Sequence, residues 1–128
     1  MQSLYPIRFR PALKETLWGG STLSRRFGKK AKAGARIGES WEITGMPGAS
    51  SVVANGFLKG NTLEEIAEVY MDELLGESVY EKYGPEFPLL IKLIDAADRL
   101  SIQVHPDDRL AAERHHAHDG GHADHDSE

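Results

Sequence analysis

The sequence contains no cysteine, which excludes disulfides, thiolate metal sites and cysteine nucleophiles. No stretch approaches the roughly 18 consecutive apolar residues of a membrane-spanning helix. The opening residues, Met1 to Arg10, lack the apolar run of a secretion signal. With no membrane partner and nothing pointing to export, the cytoplasm is the expected location. Basic residues are missing from one end of the chain. All 15 Lys and Arg fall within residues 1–114, against 16 Asp and Glu, whereas residues 115–128 add four acidic groups and none of opposite sign. The formal net charge of −5 leaves the chain without the overall basic footprint of general nucleic-acid binding.

What is present is the composition of an ordinary soluble domain. The chain has 128 residues, 40% hydrophobic and 27% charged, enough for one packed core. Six cations, Arg25, Arg26, Lys29, Lys30, Lys32 and Arg36, crowd a Gly/Ala-rich stretch with little hydrophobic patterning. That stretch reads as a solvated loop or as a phosphate-binding or nucleic-acid patch.

Tyr5 to Phe9 reads as an edge strand, since Pro6 and Pro11 disfavour a central position. Ser21 or Thr22 can cap a short helix ending at Gly28. Gly38 to Thr44 alternates, with Glu39, Trp41 and Ile43 on one face and Ser40, Glu42 and Thr44 on the other. Ser51 to Ala54 is a short β-branched strand closed by the turn signal Asn55-Gly56. Thr62-Leu-Glu-Glu65 is a capping box, and Leu63, Ile66, Ala67, Tyr70 and Leu74 recur at helical spacing up to Gly76. Glu77 to Tyr83 can add a further turn or two.

Pro88 to Ile94 is a nearly continuous apolar run interrupted by Lys92, the pattern of a strand covered on both faces. After a turn at Asp95 to Asp98, Leu100 to His105 alternates again, with Ser101, Gln103 and His105 on the polar face. Hairpin pairing would set Lys92 beside that strand. Pro106-Asp107-Asp108 can then start a helix through Leu110 and Arg114. The expected class is mainly β with helical additions, a barrel or sandwich. A carboxamide and an imidazole two residues apart can reach one cation, but two ligands do not close a site. The same pair can equally be a solvent-facing one.

Leu100-Ser-Ile-Gln-Val-His-Pro-Asp107 resembles the metal-binding signature of the type I phosphomannose isomerases of the cupin superfamily. Leu17-Trp-Gly-Gly20, Gly38-Glu-Ser-Trp-Glu-Ile-Thr44 and Phe87-Pro-Leu-Leu-Ile-Lys92 resemble further blocks of that family, in the same order. The resemblance implies a cupin-type β-barrel (jelly roll), incomplete in this chain. It implies zinc, one ion per complete site, and the interconversion of mannose 6-phosphate and fructose 6-phosphate, so a small sugar phosphate as partner. Gln103 and His105 take the positions of two zinc ligands, Lys92 that of the catalytic lysine proposed to act in ring opening, and Ser101 that of a hydroxyl near the substrate phosphate. Trp18 and Glu39 match residues near the substrate pocket. Family members are much longer, which implies that residues 1–114 are the N-terminal part of an isomerase domain, inactive alone. A non-catalytic cupin-like module binding metal or a sugar phosphate is the alternative. Residues 115–128, with five of the six histidines, are expected to form a polar loop or tail that composition allows to bind divalent metal loosely.

Overall fold

The computed structural model describes residues 2–119. Ten elements follow one another: β1 (Phe9–Arg10), β2 (Ala12–Gly20), α1 (Thr22–Arg25), β3 (Ile37–Thr44), β4 (Val52–Val53), α2 (Leu63–Tyr70), α3 (Asp72–Leu75), α4 (Glu77–Tyr83), β5 (Leu90–Ile94) and α5 (Asp108–Asp119). The strands form two antiparallel sheets, one of β1 and β4 and one in the order β2-β3-β5. Neither sheet closes into a barrel among the described residues. The class is mainly β with helical additions, and no helix among these residues is long and apolar enough to cross a membrane.

The core forms where the amphipathic face of α2 meets the small sheet. Val53, Leu63, Ile66 and Tyr70 are buried together, and Leu4, Ile7, Phe9, Ile43, Leu58, Leu74 and Phe87 pack around them. The capping box works as its spacing predicts. Thr62 Oγ1 accepts from the Glu65 amide at 3.2 Å, and the Glu65 carboxylate accepts from the Thr62 amide at 2.9 Å. Before that helix, Gly56 turns with φ +67°, and the Tyr5 ring lies where a Cβ would stand. Tyr5 Oη donates to Asn55 O at 2.7 Å and accepts from the Leu58 amide at 3.1 Å, clamping the turn. The first strand accordingly starts later than expected, because Tyr5 to Pro6 is engaged with this turn rather than with a sheet partner.

Further expectations are corrected. The apolar spacing from Leu63 to Leu74 does not give one helix, because the chain breaks at Met71 with φ 47°. No Lys or Arg lies between Lys59 and Lys82, while Glu64, Glu65, Glu68, Asp72, Glu73, Glu77 and Glu81 do. One long helix would put Asp72 and Glu73 towards its negative C-terminal end and Asp72 four residues from Glu68. The break puts both in the first turn of α3, where the dipole favours them.

The run at 88–94 is not covered on both faces. Strand β5 is the edge of its sheet, and Leu89, Ile91 and Ile94 are 57%, 45% and 53% exposed. No hairpin forms after it either. The Asp95 amide donates to Gly38 O and the Ala97 amide to Trp18 O, both at 2.8 Å, so the chain continues along the sheet instead of turning back. Residues 100–105 therefore do not fold back onto the free edge of β5 and run irregularly, with Ile102 and Val104 98% and 90% exposed. Helix α5 begins at Asp108, with the Leu110 amide donating to Asp107 Oδ1 at 2.9 Å, and continues to Asp119. Residues 120–128, most of the expected polar tail, lie outside the described residues.

Candidate active site

The polar side chains that the sequence separates by 53 positions meet across β3 and β5. Trp41 pairs directly with Lys92 and Glu39 with Ile94, which sets Lys92 diagonally beside Glu39 on one face of the sheet. Lys92 Nζ donates to Glu39 Oε1 at 2.9 Å, and Trp41 Nε1 donates to Glu39 Oε2 at 2.7 Å. Both carboxylate oxygens are thus engaged. Lys14, opposite Glu39 on β2, lies with Nζ 4.6 Å from the centre of the Trp41 ring. The Trp41 hydrogen bond, then Lys92 and Lys14, outweigh the cost of burial and hold the Glu39 carboxyl below its ordinary value.

The pairing shifts after Trp41, from Trp41–Lys92 to Ile43–Ile91, leaving Glu42 without a ladder partner. Ile43 joins the core around α2, while Trp41 stays with Glu39. At the bulge, Glu42 Oε1 accepts from Ser40 Oγ at 2.7 Å and meets Lys29 Nζ at 2.7 Å. Burial pushes the Glu42 carboxyl up, but Lys29 and Ser40 together bring it below the ordinary range.

Trp18 is placed differently from Glu39. Its ring, with Thr16 Oγ1, fills the space where a Cβ of Gly38 would stand. Successive strand residues face opposite ways, so this ring packs behind β3 on the side away from Glu39 and Lys92. Ser101 and Gln103 are neighbours on the irregular segment, with Gln103 Nε2 3.4 Å from Ser101 Oγ. His105 follows, exposed. The structure therefore brings Lys92 and Glu39 together and leaves Ser101, Gln103 and His105 on the segment beyond β5.

The donor types of Gln103 and His105 suit zinc, and the contact to Ser101 uses the amide nitrogen of Gln103, leaving its oxygen. Their number does not complete a site. Among the described residues no group of three or more His, Cys, Asp or Glu is placed to hold a metal.

The family model described as phosphomannose isomerase type I, catalytic domain, matches residues 7–128. The chain belongs to the type I phosphomannose isomerases. Among curated relatives, it is 42% identical over 106 residues to mannose-6-phosphate isomerase ManA of Bacillus subtilis, covering 83% of this chain and 31% of the relative. It is 39% identical over 108 residues to a mannose-6-phosphate isomerase of Streptococcus mutans, covering 84% and 32%. The crystal structure of the Bacillus subtilis mannose 6-phosphate isomerase superposes with TM-score 0.72 at 42% identity, over 87% of this chain and 33% of that one. The apo enzyme from Salmonella typhimurium superposes with TM-score 0.75 at 26% identity, over 94% and 30%. The chain thus spans about a third of the length of these isomerases.

Two residues of the Lys92–Glu39 group are not singled out by the sequence. The residue pattern gives Trp41 only a strand face and Lys14 no role. The spacing Glu39-x-Trp41 carried the signal, since residues two apart on a strand project side by side. Lys14 had none, because its register opposite Glu39 is set by tertiary pairing.

Proposed function

We propose that this chain supplies the lysine-bearing sheet and two metal ligands of a zinc-dependent mannose-6-phosphate isomerase that interconverts mannose 6-phosphate and fructose 6-phosphate in the cytoplasm. The observation that carries this reading is the Lys92–Glu39–Trp41 group on paired strands of a chain that belongs to the family. The aldose–ketose exchange moves a proton between C1 and C2, and negative charge develops on the carbonyl oxygen in between. Lys92, 33% exposed in its side chain and held by Glu39, is positioned to act as a catalytic cation beside that oxygen. Glu39 contacts the substrate's polar groups or fixes Lys92 against them. The Ser101 hydroxyl receives the phosphate. Trp18 supports the site from behind β3 through Gly38, in place of lining it.

Gln103 and His105 are the ligands this chain would give to zinc, which when bound supplies the electrophilic pull on the substrate oxygens. They need a third and fourth donor, so the chain by itself is proposed to lack turnover. The reading is tested by a chimera in which this chain replaces the matching third of the Bacillus subtilis isomerase. Zinc-dependent isomerisation is expected, with loss of turnover in Lys92→Met and loss of zinc in His105→Ala. A folded, zinc-loaded chimera that turns over no sugar phosphate would refute the assignment.

The incomplete donor set also supports a second reading for the chain by itself, as a module that binds sugar phosphate without converting it. Sugar-phosphate binding by the isolated chain that the Lys92→Met change abolishes would favour it.

A further inference from the structure

Three members of the basic cluster that the isomerase reading leaves unused, Arg25, Lys32 and Arg36, line a groove. Its floor is Gly19 and Gly20 at the end of β2, one wall is Ser24 and Arg25 of α1, and the other is the 31–36 loop, around a volume of about 450 Å³. Three of its lining residues are cationic, Arg25, Lys32 and Arg36, and none is acidic. This is a local excess of three positive charges on a chain of net charge −5.

The walls are ordered by specific bonds. The Lys29 amide donates to the O of buried Leu23 at 3.0 Å, and the Lys29 ammonium is tied to Glu42. The Ala35 amide donates to Lys32 O at 3.0 Å, closing a turn in which Gly34 has φ +76°. Arg36 is fixed at both ends: its carbonyl accepts from the Thr16 amide at 3.1 Å, and its Nε donates to Gly19 O at 3.2 Å. The terminal nitrogens of its guanidinium are therefore presented from a fixed stem, with little side-chain freedom left to lose on binding. A competing charge is Asp95, whose carboxylate lies against Gly20 and accepts from the Thr22 amide at 2.7 Å. It offsets one of the three cations.

We propose that this groove is a binding site for a small phosphorylated ligand, with Arg36 and Lys32 on the phosphoryl oxygens and Arg25 at the rim. A planar guanidinium beside an ammonium matches a phosphate dianion. The groove's volume exceeds what a bare phosphate fills and suits an ester the size of a hexose phosphate. None of Lys92, Glu39 and Trp41 lines it, so it does not depend on the catalytic assignment.

The test is an NMR titration of the 128-residue chain with glucose 6-phosphate and, separately, with inorganic phosphate. Saturable shifts of the Gly19, Gly20 and Ser21 amides and of Arg36 Nε are expected, with the ester tighter than the bare ion. Arg25→Gln and Lys32→Gln, both at exposed positions, keep the fold readable, and removal of the Lys32 charge is expected to weaken binding about tenfold. The Trp41 indole resonance should stay in place throughout. The proposal is overturned by the absence of saturable shifts in this groove, by unchanged affinity in Lys32→Gln, or by a single-stranded oligonucleotide binding there more tightly than the ester.

Discussion

Removing the indole N–H of Trp41 tests the site where its geometry is tightest. Trp41→Phe keeps an aromatic ring and deletes the 2.7 Å bond to Glu39 Oε2. A hydrogen bond to a charged group contributes about 1.5–3 kcal/mol when well shielded. The Glu39 side chain is 18% exposed and that of Lys92 33%, so water replaces part of what is lost. A loss of about 1 kcal/mol from this bond is expected, plus a smaller packing loss that depends little on pH. Comparing Trp41→Phe, Glu39→Gln and the double variant by urea unfolding, followed by circular dichroism, isolates the coupling. The pH dependence gives a second check. Because Glu39 is held below its ordinary value, its stabilising contribution is fully present above the unfolded carboxyl's pKa and is lost as pH falls through the folded one. The penalty of Trp41→Phe should therefore be largest near neutrality and shrink on acidification. Additive single variants, or a penalty that does not change with pH, would refute the reasoning.

Thr62→Ala removes one half of the capping box and should cost about 1 kcal/mol, read from the same unfolding curves together with a loss of helical signal. Val53 is wholly buried in the α2 core, so Val53→Ala should lower stability by about 2 kcal/mol, and a change under half that would mean the site collapses around the missing methyls. Lys29→Met strands Glu42 at the bulge; about 1 kcal/mol should be lost at neutral pH and recovered in relative terms as acid protonates Glu42, with faster amide exchange confined to the 26–36 loop. An equal loss at all pH values would show that the pair contributes only packing.

The helix at Thr62 was legible because everything it needs is local: a cap, a reciprocal carboxylate three residues on, and apolar residues at helical spacing. The Asn55-Gly56 turn was legible for the same reason, although its clamp by Tyr5, 50 residues away, was not. Residues 100–105 do not form the strand their alternation suggests, because alternation states which residues could share a face and not whether the chain turns back to pair with an edge. The backbone donors that would have turned the hairpin are engaged by Gly38 and Trp18.

Sequence alone therefore determined the family, through blocks whose residue types and order are specific, together with the mainly β class and the identity of Lys92 and Glu39 as candidates. Only the tertiary structure decided that these two meet, that Trp41 and Lys14 complete their group, and that Trp18 stands on the other side of β3. The reason is that composition and spacing act along the chain over a few residues. Cross-strand register joins positions tens of residues apart, and a bulge such as that at Glu42 changes which side chains face each other without leaving a local trace.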